Sequence, residues 1–323
     1  MCGITGWLYP QGAEPEPEAL ARMAQTIRHR GPDDEGFFRD AAAGVALAHR
    51  RLSIIDLSSA SHQPMVDAAS GVVLAYNGEL YNFQALRREL QALGHAFHSS
   101  GDTEVLLRCY LQWGIGCLPR LAGMFALALW DPRCATLHLA RDAMGMKPLY
   151  IAPVQGGVAF ASEIKAFLHL PGFVGRLDSY GLQQFLEFGY IFDGVGTSLQ
   201  GVQKVLPGQR LALRAGKVAE RVSWFTPPAP DAADARGEAD RLAELSATLG
   251  QVVAEHLIAD VPVGLLLSGG LDSSVVAALA ARGGPLTTIC MGFGDSDVDE
   301  RAHARQVAQH IGSHHVDVLI SAQ

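Results

Sequence analysis

The sequence lacks most of what builds a secreted, membrane-spanning or nucleic-acid-binding protein. Its five cysteines are odd in number and contain no CxxC pair, so neither a disulfide framework nor a zinc site is indicated. That usage fits a reducing compartment, and the chain is expected to be cytoplasmic. No apolar run approaches the ~20 residues a membrane helix needs; Met124 to Trp130 is among the longest. A signal peptide is not expected either, because Pro10, Glu14, Glu16 and Glu18 follow a very short apolar opening. Charged residues make up only 18% of the chain, and the net charge of −8 comes from mixed signs without blocks. Such a surface argues against a nucleic-acid partner or an anionic membrane.

What is present describes an ordinary globular protein: 49% of its 323 residues are hydrophobic, and the length suggests about two domains. Gly3 to Leu8 reads as a short buried strand ended by Pro10 and Gly12. Pro17 to Arg28 follows as a helix, with Leu20, Met23, Ala24 and Ile27 at helical spacing. The Gly-Pro after Arg28-His29-Arg30 marks a turn. Gly44 to Ile55 is strand-like, yet His49, Arg50 and Arg51 interrupt its apolar course. Gly71 to Tyr76 is another strand, running into Asn77-Gly78, a pair that signals a tight turn. Phe83, Leu86, Leu90 and Leu93 mark the helix beyond it, and Asp102 stands where it could cap the next. Through residue 200 the pattern is strand-rich, with helices in groups rather than in strict βαβ alternation.

Chemistry enters at the second residue. Removal of Met1 would leave Cys2 with a thiol and a free α-amine whose ordinary pKa is near ~8, so the nucleophile carries its own base. A strand followed by a tight turn at Asn77-Gly78 would present an amide and a backbone N–H to a ligand, as an oxyanion hole requires. His29 and His49 are read as structural.

After residue 200 the character changes. Gln209 to Leu213 and Lys217 to Trp224 form a hairpin across Gly216, and the Pro/Ala/Asp-rich run over 226–236 reads as a linker between domains at 1–225 and 237–323. Helices and strands then alternate: helix from Glu238 to about Ile258, strand Val261 to Leu267, helix Ser273 to Ala281, strand Leu286 to Phe293, helix Asp299 to Ile311, strand His315 to Ile320. Alternation means a parallel sheet, with ligands at the carboxyl ends of its strands. The first such end carries Ser268-Gly269-Gly270-Leu271-Asp272-Ser273-Ser274, followed by a helix whose N-terminus attracts anions. This is not a Walker A loop, because the lysine is missing. An ordinary turn capped by Asp272 or Ser273 is the plainer alternative.

Six motifs, MCGITGW at the start, RHRGPD at 28–33, HRRLSIID at 49–56, NGELYN at 77–82, GDTEV at 101–105 and RDAMGMKPLY at 141–150, resemble the class II glutamine amidotransferase domain. The resemblance implies an α+β N-terminal-nucleophile hydrolase fold, an α-β-β-α sandwich. It implies catalysis by Cys2 with Asn77 and Gly78 at the oxyanion. Arg51, Ile54, Ile55, Glu79 and Asp102 would bind glutamine, Arg51 at the α-carboxylate and Asp102 with Glu79 at the α-ammonium. The family often has Ser before that aspartate, where this chain has Gly101.

SGGLDSS resembles the pyrophosphate loop of the ATP pyrophosphatases, implying an α/β parallel-sheet domain. Leu267, Ser268, Gly269, Gly270, Asp272, Ser273, Ser274 and Met291 would then bind ATP, with Asp272 on Mg2+ and Leu267 and Met291 at the adenine. The two halves together resemble the glutamine-dependent asparagine synthetases, which amidate aspartate through β-aspartyl-AMP. Only three strands follow the linker, and a second acidic Gly/Ser stretch of such synthetases is absent, so the parallel-sheet domain reads as incomplete; a fragment of a longer synthetase, a split gene product and a truncated form all stay open. Amidation of another carboxylate, in polysaccharide or peptide modification, stays open. So do a glutaminase alone, a glutamine-binding module and a homodimer.

Overall fold

The computed structural model describes residues 1–229, 236–292 and 299–320. Residues 230–235 of the expected linker and Phe293 of the expected strand lie outside the described residues. The chain divides into two compact units, Met1–Pro228 and Ala229–Gln323.

Along the first unit run β1 (Gly3–Leu8), α1 (Pro17–Thr26), β2 (Asp34–Asp40), β3 (Val45–Arg51), β4 (Met65–Val66) and β5 (Val73–Leu80). Next come α2 (Phe83–Ala92), α3 (Asp102–Trp113), β6 (Gly123–Asp131), β7 (Thr136–Arg141), β8 (Tyr150–Val154) and β9 (Gly157–Ala161). The unit ends with α4 (Ser179–Phe188), β10 (Gln203–Lys204), β11 (Gln209–Arg214) and β12 (Lys217–Ser223). Two six-stranded sheets result, ordered β10-β8-β9-β1-β3-β2 and β12-β11-β7-β6-β5-β4.

Side-chain alternation explains the layering. Ile4 and Leu8 of β1 join Val73, Ala75, Ala126 and Leu139 in a core between the sheets, while Trp7 packs outside with Leu20 and Met23 of α1 and with Ile27 just beyond its end. Because both faces of β1 are covered, the strand is buried throughout and reads as a continuous apolar run. Helices α2 and α3 bury Phe83, Leu86, Val105 and Leu106, and α3 packs on β5 of the second sheet. The unit is the expected α-β-β-α sandwich.

Three local expectations are corrected. First, β5 runs through Asn77 and Gly78 without a turn, Asn77 opposite Ala126 and Gly78 opposite Phe125 of β6. A glycine is required at 78 because a Cβ there would stand 2.3 Å from the Met124 carbonyl oxygen and 2.7 Å from the Tyr76 ring. Second, β3 stops at Arg51 rather than continuing to Ile55, since the Leu52 N–H turns to Cys2 Sγ at 3.3 Å instead of a neighbouring strand. Third, Asp102 does not cap α3; Gly101 occupies that position, and the Glu104 carboxylate accepts the N–H groups of His98 and Ser99 at 2.9 and 2.7 Å. A Cβ at Gly101 would meet Ser61 Oγ at 2.5 Å, which accounts for glycine at that position.

The second unit begins with α5 (Glu238–His256) and continues with β13 (Gly264–Leu266), α6 (Leu271–Ala280), β14 (Thr287–Gly292), α7 (Arg301–Ile311) and β15 (His314–Leu319). Its three strands are parallel in the order β13-β14-β15. Among the described residues no helix is long and apolar enough to cross a membrane.

Candidate active site and nucleotide loop

Antiparallel pairing of β1 with β3 sets Gly3 against Arg50, so the first residues of the chain emerge beside the end of β3. Cys2 is anchored there from three sides. Arg30 Nε donates to the Cys2 carbonyl at 2.9 Å while Arg30 Nη1 pairs with Glu163 at 3.0 Å. Ser162 Oγ accepts the Ile4 N–H at 3.0 Å, and the Ser162 N–H donates to the Ile4 carbonyl at 2.9 Å. Leu52 then supplies an N–H to the sulfur. Burial pushes the Cys2 thiol up, and the Leu52 N–H and the nearby N-terminal charge oppose that shift. Burial lowers the α-amine of Met1, the residue that still precedes Cys2 in this structure.

A cavity of about 180 Å³ opens at this point, and every residue expected at the glutamine site lines it: Cys2, Arg51, Ile54, Ile55, Asn77, Gly78, Glu79 and Asp102. The pair expected at the oxyanion, Asn77 and Gly78, is positioned by β6. Phe125 directs both its backbone groups to Asp142, donating to Oδ2 at 3.1 Å and accepting the Asp142 N–H at 2.8 Å. Gly78 lies opposite Phe125, at a non-hydrogen-bonded pair, so its own N–H points away from β6. On that side β4 reaches only Val73 and Leu74, leaving the edge open at Gly78. Asn77 is 1% exposed, and its Nδ2 has no hydrogen-bond partner among the described residues. An unsatisfied buried donor costs roughly 1–3 kcal/mol unless a ligand or water supplies its acceptor.

The charged ends of the cavity differ in character. Arg51 is 6% exposed, with Nη1 on the Ser58 carbonyl at 2.9 Å and Nη2 on the carbonyls of Ile55 and Asp56. Its fork thus ties down the 55–58 loop, and a ligand carboxylate would share it with those oxygens. Asp102 accepts the Tyr76 hydroxyl at 2.9 Å and the Leu80 N–H at 3.0 Å; burial nonetheless raises its carboxyl to about 6. His49 is buried and lowered to about 4 by desolvation, with Nε2 3.0 Å from the Tyr76 carbonyl, whereas His29 is exposed and pairs with Glu163. Sequence reasoning missed Leu52, Gln63, Tyr76, Thr103, Met124 and Lys147, which line the same cavity. Only Lys147 had a signal of its own, a cation inside a quoted motif.

Comparison with known proteins identifies the family. The sequence profile described as the glutamine amidotransferase domain matches residues 1–224, and that described as asparagine synthase matches residues 244–323. The chain belongs to the glutamine amidotransferase domain family. Similar curated proteins include a putative glutamine-hydrolysing asparagine synthetase of Mycobacterium tuberculosis, 38% identical over 100% of this chain and 52% of its own length. Glutamine-hydrolysing asparagine synthetase 3 of Bacillus subtilis is 34% identical over 95% of this chain and 50% of its own. Amidase chyE of Penicillium rubens is 33% identical over 97% and 50%. The chain therefore spans about half the length of the curated relatives it matches. Among solved structures, glutamine phosphoribosylpyrophosphate amidotransferase from B. subtilis, in complex with ADP and GMP, superposes with a TM-score of 0.51 at 18% identity, covering 98% of this chain and 65% of that one, a likeness of fold.

In the second unit the segment after β13 forms a polar loop. Ser268 Oγ lies 2.9 Å from Ser273 Oγ and accepts the Gly270 N–H at 3.2 Å; Ser274 Oγ donates to the Gly270 carbonyl at 2.7 Å. Gly269 has φ +80°, and a Cβ would stand 2.6 Å from that of His303, so only glycine lets the loop pass α7. Asp272 sits in the first turn of α6. The donor set suits an anion, and one carboxylate beside phosphate oxygens suits Mg2+. No cluster of three metal-ligating side chains occurs among the described residues. Leu267, Ser268 and Met291 line one cavity together with Leu266, Cys290 and Glu300. Within it the side chain of Leu267 is core, packed with Ala277, Cys290 and Ala304, whereas Leu266 and Met291 are 64% and 48% exposed. Strand alternation at 266 and 267 decides which leucine faces outward.

Proposed function

We propose that this chain hydrolyses glutamine at Cys2 and supplies the ammonia to an ATP-activated carboxylate, as the amidotransferase half and start of the synthase half of an asparagine synthetase. The observation that carries the reading is the unpartnered, buried Asn77 amide sharing one cavity with the Cys2 sulfur.

After loss of Met1, the α-amine of Cys2 takes the thiol proton as sulfur attacks the side-chain carbonyl of glutamine. The oxygen becomes an anion held by Asn77 Nδ2–H and the Gly78 N–H. When the C–N bond breaks, the α-ammonium returns the proton to the leaving nitrogen, which departs as ammonia. Water then cleaves the glutamyl thioester to glutamate and restores the thiol. Arg51 holds the α-carboxylate; Asp102 and Glu79 hold the α-ammonium, and Ile54 and Ile55 wall the pocket.

In the second unit, we assign the pyrophosphate of ATP to Ser268, Gly269, Gly270, Ser273 and Ser274, Mg2+ to Asp272, and the adenine to Met291 and the backbone of Leu267. Aspartate is the proposed acceptor, which would yield asparagine, AMP and pyrophosphate. Ammonia release from glutamine, abolished in Cys2→Ala, tests the first half; aspartate-stimulated ATP–pyrophosphate exchange tests the second. Absence of glutamine hydrolysis in the wild-type chain would overturn the reading.

A further inference from the structure

Tyr76 is 2% exposed yet lines the glutamine cavity, and the reaction above gives it no part. Past Leu74 the edge of β5 has no partner in β4, and side chains take the place of a strand. Gln63 Oε1 accepts the Tyr76 N–H at 2.7 Å, and His49 Nε2 donates to the Tyr76 carbonyl at 3.0 Å. The ring lies on the face of β5 that Gly78 leaves bare, where an added Cβ would stand 2.7 Å from it. With main chain and ring fixed, the hydroxyl donates to Asp102 Oδ2 at 2.9 Å. The Leu80 N–H donates to that same oxygen at 3.0 Å. Gln63 adds a second link between the two segments, its Nε2 donating to Thr103 Oγ1 at 3.3 Å. Both donors to the Asp102 carboxylate from β5 therefore fall on Oδ2, and no other residue among the described ones donates to Oδ1.

We propose that Tyr76 is a positioning residue for substrate recognition: by holding Asp102 Oδ2 it reserves Oδ1 for the α-ammonium of glutamine. The inference rests on the assignment of Asp102 to that ammonium. A carboxylate in a closed cavity needs donors to stay ionised, and a neutral hydroxyl supplies one without competing for the ligand's charge. Burial and the adjacent carboxylate put the Tyr76 hydroxyl well above its ordinary value, so it stays a donor across the working pH range. The groups facing Asp102 are Tyr76 and Glu79 of β5 and Cys2 ahead of β1; Glu79 works against ionisation of Asp102 and Tyr76 for it.

The test is glutamine binding, by calorimetry at pH 7.5, in a Cys2→Ala background that cannot turn the ligand over. The paired ligand is 4-carbamoylbutanoate, which is glutamine without its α-amine. Tyr76→Phe keeps the ring and is expected to weaken glutamine about tenfold while leaving affinity for the paired ligand unchanged. Added to Asp102→Asn it should cost little more, because both changes act on one ammonium. With Cys2 intact, kcat should hold, and the rise of KM on acidification should begin about one pH unit higher in the phenylalanine variant. Equal losses for the two ligands would assign Tyr76 to the fold alone and overturn the proposal, as would an unchanged glutamine affinity or a fully additive double variant. Failure of the Cys2→Ala parent to bind glutamine would sink the substrate assignment itself, a separable outcome.

Discussion

Asp102 is a carboxylate whose functional use and structural cost oppose each other. It is 6% exposed and raised from 3.8 to about 6, chiefly by burial. Each pKa unit corresponds to 1.36 kcal/mol, so at pH above 6 the ionised group costs the fold up to ~3 kcal/mol. Asn in its place keeps an acceptor for the Tyr76 hydroxyl and the Leu80 N–H without the charge. Neutral bonds recover less than ionic ones, so Asp102→Asn should stabilise this unit by about 1–2 kcal/mol at pH 7.5. The sign follows from linkage: a carboxyl raised on folding destabilises the ionised state, so the wild type gains on the variant as pH falls through 6 toward 4. Their stabilities should converge there. All four tryptophans (Trp7, Trp113, Trp130 and Trp224) lie in Met1–Pro228, so tryptophan fluorescence in urea follows this unit's unfolding selectively. The same variant should bind glutamine roughly ten- to a hundredfold more weakly through loss of a charged partner. In the wild type, KM should rise as pH drops below about 6. A destabilised Asp102→Asn at pH 7.5, or a stability difference that does not shrink on acidification, would refute the reasoning.

Asn77→Ala should lower kcat/KM by roughly two to three orders of magnitude while leaving stability unchanged or raised, since an unsatisfied buried donor is removed; urea unfolding alongside ammonia release checks both. Gly78→Ala should cost at least ~2 kcal/mol from the clash with the Met124 carbonyl, read by the midpoint of tryptophan fluorescence. Gly269→Ala should distort the loop after β13 through both its φ of +80° and the contact with α7, so aspartate-stimulated ATP–pyrophosphate exchange should disappear while glutamine hydrolysis persists.

The proposed glutamine site was largely legible because its residues are local features that a single fold brings together. Cys2 precedes β1, Arg51 ends β3, and Asn77 and Gly78 fall where β5 outruns β4. What the sequence could not convey was how those ends are oriented. Asn77-Gly78 reads as a tight turn because a turn is the cheapest local use of that pair; pairing with β6, anchored by Asp142, overrides it. Tyr76 and Thr103 carried no signal because neighbouring pattern explains them as strand and helix, and Gln63 lies in an irregular stretch before β4 that has no pattern of its own. Edge strand β2 escaped notice for a related reason, since its partly exposed DEGFFRD blurs apolar alternation. In the second unit the strand–helix rhythm indicated the strands and main helices, but the one-residue phase separating Leu266 from Leu267 at the cavity they line depends on pairing with β14.

The most direct test is to react the purified chain with a diazo-ketone analogue of glutamine and map the adduct by mass spectrometry. The account predicts one label, on a Cys2 that has become the first residue, with ammonia release lost in proportion to labelling. A label on the exposed Cys134, full glutaminase activity after Cys2 is modified, or an active chain that retains Met1 would contradict it.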